Sequence, residues 1–209
     1  MLKGRLETIF SESEELLAPS LPIRKTRTGI WVPTPIPIIL KACEILTTMR
    51  LLGETAPKGS VVDAGSGDGR VPIVISLQNQ TRWTYGIEFD RVLHSQATNN
   101  LNALKNHNIV GSESKIQLIE NDYTNVETYR LAGIATQEVH LFLNYPDGNQ
   151  NRLERLITEK FGFKTWLCLL THDEAINLNN LNLEERQNIQ DDHDMTWWLS
   201  LYRQPRSRA

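Results

Sequence analysis

A short apolar run that ends on an acid and turns at once through three alternating glycines limits this chain more than any other feature. Ser60-Val61-Val62-Asp63-Ala64 reads as a buried strand, and Gly65-Ser66-Gly67-Asp68-Gly69 turns it into a helix carrying Val71, Ile73, Val74 and Leu77. Glycines permit both the tight turn and the close approach of a ligand to the backbone. The alternation then recurs: strands at 83–88, 115–119, 139–143 and 165–170, with helices at 91–106 and 149–160. Strands separated by helix-sized segments become parallel neighbours joined by right-handed crossovers, hence a doubly wound α/β sheet covered on both faces. Residues 196–202 (TWWLSLY) are β-rich but follow only the polar stretch 177–194, so they are expected to close an antiparallel edge hairpin.

The other segments set the boundaries. Residues 1–18 place Leu2, Leu6, Ile9, Phe10, Leu16 and Leu17 among acids, as an amphipathic helix capping a domain does. From 20 to 37 the chain carries Pro22, Pro33, Pro35 and Pro37, which require an extended lead-in. Thr34 is expected to N-cap the next helix, with Pro35 in its first turn and Ile38, Ile39, Ala42, Ile45, Leu46 and Met49 at helical spacing. This divides the chain into a helix and lead-in (1–30), one domain (31–204) and a frayed tail (205–209). A chain of 209 residues closes one core rather than two. Cys43 and Cys168 have neither CxxC nor zinc-ligand spacing, and no apolar run reaches membrane-spanning length. Arg5 and Glu7 stand where a signal peptide needs apolar residues. A soluble, cytoplasmic protein without membrane contact is expected. The net charge of −3 gives no general attraction to nucleic acid, although Arg24, Lys25 and Arg27, and Arg203, Arg206 and Arg208, are local basic groups.

Ligands of open parallel sheets bind beyond the carboxyl ends of the strands, near the point where strand order reverses. The residues there are Asp63, Gly65, Ser66, Gly67, Asp68 and Gly69 after the first strand, and Glu88 after the second. Asn121, Asp122 and Tyr123 follow the third, and Asn144, Tyr145, Pro146 and Asp147 the fourth. Phosphates would be repelled by Asp63, Asp68 and Glu88 together. The loop also lacks the P-loop Lys-Ser/Thr pair and spells GxGxG rather than GxGxxG. A ribose-bearing ligand with a cationic end and no phosphate fits better, and S-adenosylmethionine is such a molecule. Its ammonium suits the acidic first loop, its ribose diol Glu88, and its adenine amine Asp122 or the neighbouring Asn121. His94, His107, His140 and His193 show no metal-ligand spacing. His172 and Asp173 read as a loop hydrogen-bonded pair, and Trp197 and Trp198 as one core ring and one surface ring.

VVDAGSGDGR (61–70) resembles motif I of the class I, seven-strand S-adenosylmethionine-dependent methyltransferases. GIEFD (86–90) looks like their ribose-binding strand end and END (120–122) like their adenine-binding one. The resemblance covers residues 31–202 and implies a Rossmann-like, mostly parallel seven-stranded sheet with an antiparallel C-terminal edge strand and an N-terminal helical cap. It implies S-adenosylmethionine as cofactor, held by the glycine loop, Glu88 and Asp122. WVPTP (31–35) ahead of motif I resembles the small lysine methyltransferases of archaea and their mitochondrial relatives, which implies a protein lysine as acceptor. LNYPDG (143–148) looks like the LNFPDPW signature of tRNA guanine-N7 methyltransferases and, distantly, like the Asn-Pro-Pro-Tyr motif of amino-methylating enzymes. In the latter a carboxamide and a carbonyl orient the target nitrogen, which makes Asn144 and Tyr145 the catalytic candidates. An RNA base is the alternative acceptor, and a non-catalytic S-adenosylmethionine-binding protein the third reading.

Overall fold

The period-two apolar pattern of the strands has two faces to bury, and the helices supply a layer for each. The computed structural model describes residues 2–18, 23–26, 29–78, 82–174, 176–191 and 194–205. Pro22, Arg27, His193, Arg206 and Arg208, which the sequence singles out, lie outside the described residues. The chain runs through α1 (Leu2–Leu17), β1 (Arg24–Lys25), β2 (Ile30–Trp31), α2 (Ile36–Thr48), β3 (Ser60–Ala64), α3 (Arg70–Gln78), β4 (Thr84–Glu88) and α4 (Arg91–Asn106). It continues through β5 (Ile116–Glu120), α5 (Val126–Leu131), β6 (Val139–Asn144), α6 (Gln150–Lys160), β7 (Trp166–Thr171), β8 (Asn182–Gln190) and β9 (Thr196–Arg203).

Seven strands form a mixed sheet in the order β5-β4-β3-β6-β7-β9-β8, parallel from β5 to β7 and antiparallel at β9 and β8. Successive residues of a strand feed opposite layers. Val61, Leu141 and Leu143 pack with α1, α2, α3 and α4, whereas Val62, Phe142, Leu167 and Leu169 pack with Tyr129 of α5 and Leu153 and Ile157 of α6. Strand order reverses between β3 and its two neighbours β4 and β6, so a crevice opens above Asp63, Glu88 and Asn144.

Three expectations are adjusted. The strand at 196–202 does complete an antiparallel hairpin, but β9 lies inside the sheet between β7 and β8, and β8 is the edge. Thr34 does not cap α2. Pro35 holds the cap position instead, where its ring has no acceptor to offer, and the Ile38 amide donates to the Pro35 carbonyl. The first helix is more than an outer cover, since Leu6 and Phe10 are fully buried within the same core as α2 and β3. The proline-rich lead-in stays out of the main sheet, as expected, and makes its own antiparallel hairpin of β1 and β2. Among the described residues no helix is long and apolar enough to cross a membrane.

Candidate functional site

The β3–α3 loop is shaped by glycine where no other residue would serve. Gly65, Gly67 and Gly69 all have positive φ, at 79°, 56° and 81°. The Gly65 and Ser66 amides both donate to the Ile87 carbonyl, pinning the loop to β4. Glu88, at the end of β4, accepts from the Gly67 amide at 2.8 Å and from the Asp90 amide at 2.7 Å. Asp90 in turn caps α4, accepting from the Val92 and Leu93 amides. Glu88 thus fixes both the glycine loop and the start of α4.

Burial pushes the Glu88 carboxyl up to about 7, and the negative charges of Asp90 and Asp147 add to this against the two amide bonds that lower it. The folded chain therefore binds this proton more tightly than the unfolded one, and stability falls as pH rises from about 4.5 to 7. The thermal midpoint is expected to drop between pH 5 and pH 8, with a shallower slope in Glu88→Ala. Parallel slopes in the two proteins would remove Glu88 as the source.

Asp63 and Asn144 lie at the ends of neighbouring strands at the reversal point, Asp63 in register with Leu143 and Asn144 one place further, and both are buried. The Asn144 Nδ2 donates to the Ala64 carbonyl at 2.7 Å, which leaves its Oδ1 facing onward. Neither Asn144 Oδ1 nor Asp63 Oδ2 has a hydrogen-bond partner among the described residues. Burial lifts the Asp63 carboxyl well above the usual carboxylate range, and the charges of Glu88 and Asp68 reinforce it. Two buried acceptors without donors are costly unless a ligand supplies the donors. They line a narrow cavity of about 40 Å³ together with Ser66, Thr34 and Tyr145. A second narrow cavity of about 40 Å³ adjoins it, with Glu88, Tyr123 and Asp147 in its walls. Trp31, Val32, Gly65 and Tyr145 belong to both.

Other candidates are held by the protein itself. Asp68 is fully buried and pairs with Arg70, whose Nε and Nη2 lie 3.0 and 2.7 Å from its oxygens, and it also accepts from Ser13 Oγ. Arg70 continues to Glu14 at 2.6 Å and to the carbonyls of Thr34 and Phe10, so one buried guanidinium joins α1, the lead-in and the glycine loop. The Asp122 carboxylate accepts from the amide and hydroxyl of Thr124 and lies 3.5 Å from Arg152. It lines a surface groove with Arg152 and Arg155 rather than either of the two cavities. Asp147 makes an Asx turn with the Asn149 amide and accepts the Tyr123 hydroxyl at 2.8 Å, tying the loop after β5 to the loop after β6. The His172 ring contacts the Thr196 carbonyl and lies tilted against Trp197, with centroids 3.8 Å apart and planes at 49°, and Tyr145 meets the same indole edge-on. Trp197 is buried, whereas Trp198 is half-buried. Among the described residues no group of three or more His, Cys, Asp or Glu could hold a metal ion.

The sequence carries Arg70 only as the end of the VVDAGSGDGR segment and Trp31 only as the start of WVPTP, with no role for either side chain. The structure places the Trp31 indole directly over Gly67. The signal for Arg70 was local, a basic residue two places after a buried acid, but its other partners come from α1.

No protein-family model and no curated protein matches the sequence. Solved structures do. An RNA methyltransferase from Salinibacter ruber in complex with S-adenosyl-L-homocysteine is 18% identical, with a TM-score of 0.56 over 85% of this chain and 97% of that one. A predicted O-methyltransferase from Agrobacterium tumefaciens is 16% identical, with a TM-score of 0.58 over 82% of each chain. A human methyltransferase 10 domain containing protein is 12% identical, with a TM-score of 0.58 over 96% of each chain. At these identities the likeness is one of fold: the chain has the Rossmann-like, seven-stranded architecture that these methyltransferases share.

Proposed function

We propose that this chain is an S-adenosylmethionine-dependent methyltransferase that modifies an amine nitrogen of a protein lysine. The observation that carries the reading is the pair of buried, partnerless oxygens, Asp63 Oδ2 and Asn144 Oδ1, beside a glycine loop at the strand-order reversal. Such a pair calls for ligand donors and repels phosphate. When bound, S-adenosylmethionine supplies an electrophilic methyl group on a sulfonium. Asp63 is placed to hold its ammonium, Glu88 its ribose hydroxyls, and Gly65, Ser66, Gly67 and Gly69 the loop beneath them. The loop shape depends on Asp68 through Arg70, and Asp122 orders the loop after β5. Asn144 offers its oxygen to the acceptor amine, and Tyr145, braced on Trp197, walls off water from the transfer. The lysine ammonium gives its proton to solvent before transfer, and the neutral amine then takes the methyl group as the C–S bond breaks and S-adenosylhomocysteine leaves, so the task of these residues is orientation rather than strong general-base catalysis.

Acidic and carboxamide groups around the crevice favour a cationic acceptor over a nucleic acid. The RNA reading has one specific support, the LNYPDG segment, together with the fold likeness to an RNA methyltransferase. Methyl-labelled cofactor incubated with cell extract separates the two, since protease should remove the label and RNase should not. Binding without any transfer would leave the non-catalytic reading. Asn144→Ala is expected to keep cofactor affinity within about threefold and to lower turnover at least about tenfold, a barrier increase of about 1.4 kcal/mol. Normal turnover in that variant would make the LNYPDG segment a simple turn.

A further inference from the structure

We propose that Trp31 gates the cofactor site: its indole occupies the path between Glu88 and Asp63, and a ligand can span the two only after the indole moves aside. The inference rests on the S-adenosylmethionine reading. Gly67 keeps one face of the loop bare, and the chain itself covers that face. A Cβ added at Gly67 would collide with Trp31 Nε1 and Cδ1, so the room that the glycine leaves is filled by the ring. Trp31, Val32, Gly65 and Tyr145 wall both the cavity at Asp63 and the cavity at Glu88, and of this shared partition the Trp31 indole is the part that also covers Gly67. A molecule with its ribose on Glu88 and its ammonium on Asp63 must cross that partition.

The ring is buried, but few elements hold it. Trp31 packs with Leu17 and Leu93 in a small cluster separate from the two main cores. Its strand pairs with β1 over only two positions, Arg24↔Trp31 and Lys25↔Ile30. The Arg70 guanidinium lies 5.8 Å from the ring and remains in place through its own bonds to Asp68 and Glu14. The same hairpin reaches the acceptor side, where Gly29 is in backbone contact with Asp147, leaving no room for a Cβ. Movement of Trp31 therefore disturbs the loop that follows Asn144, and cofactor entry is coupled to the acceptor loop. A closed state that must open before binding lowers apparent affinity by the fraction that is open.

The test uses S-adenosylhomocysteine as the probe, with association and dissociation rates from surface plasmon resonance on immobilised protein, affinity from calorimetry and, separately, tryptophan emission, on wild type, Trp31→Ala and Trp31→Phe. Trp31→Ala is expected to associate at least tenfold faster with a dissociation constant equal to or tighter than wild type, and Trp31→Phe to fall between. Wild type should show an emission change on binding that Trp31→Phe lacks. An unchanged association rate with faster dissociation from Trp31→Ala would overturn the gate and make the indole a wall that grips the ligand. If Trp31→Ala does not fold by circular dichroism, Trp31→Phe decides by the same rates. Absence of binding in wild type and both variants would instead overturn the cofactor reading itself.

Discussion

Arg70→Met is expected to lower folding stability by about 3–5 kcal/mol, the usual result of breaking a buried ion pair on one side only. Asp68 is fully buried and Arg70 nearly so, and the variant leaves the carboxylate without its partner. Glu14, whose side chain is about 43% exposed, adds little to the figure. The larger consequence is spatial, because Arg70 also holds the Phe10 and Thr34 carbonyls, so the lead-in loses this tie to the glycine loop and α1 keeps only the Ser13 bond to Asp68. The double variant Asp68→Asn/Arg70→Met should lose less than the sum of the single variants, since it removes both charges together. Urea denaturation measures all three. A loss below about 1 kcal/mol in Arg70→Met would show that the pair does not organise the loop.

How much of this could be read from the sequence follows from which interactions are local. β3 spans Ser60–Ala64 as its apolar run and following glycines predicted, and α4 runs from Arg91 to Asn106 as its spacing required. Glu88 was legible as a strand-end acid, because position in a βα unit alone places it at the crevice. β8 was not legible. It is a solvent-facing edge strand in which Ile189 is buried while Leu183 stays exposed, so it carries no alternation to read. Asp68 and Asp122 show the limit for site residues: both lie at the right strand ends, yet Arg70 holds one and Thr124 and Arg152 hold the other. Chain order shows which residues arrive at the crevice. Whether their polar atoms are already engaged depends on partners brought from elsewhere, such as Ser13 and Glu14 of α1.

Asp63→Asn is expected to move stability and binding in opposite directions. The buried Asp63 carboxyl is raised well above the unfolded value, so the folded state binds its proton more tightly than the unfolded state does. Its unfavourable contribution is absent at pH below the unfolded value near 4 and grows as pH rises toward the folded value. Asparagine removes the charge at nearly the same volume, so the variant should gain about 0.5–2 kcal/mol at pH 8 and almost nothing at pH 4. Binding should suffer at the same pH, because the cationic end of S-adenosylmethionine loses its counter-charge at a position where water screens little. A hundredfold weaker dissociation constant, about 2.7 kcal/mol, is the expected size by calorimetry. Wild-type affinity should also rise with pH, as a protonated Asp63 cannot pair with an ammonium until its proton leaves. A purely structural acid would behave otherwise: its replacement would change stability and leave affinity and its pH dependence untouched. That outcome would separate Asp63 from the ligand and leave Glu88 as the remaining anchor.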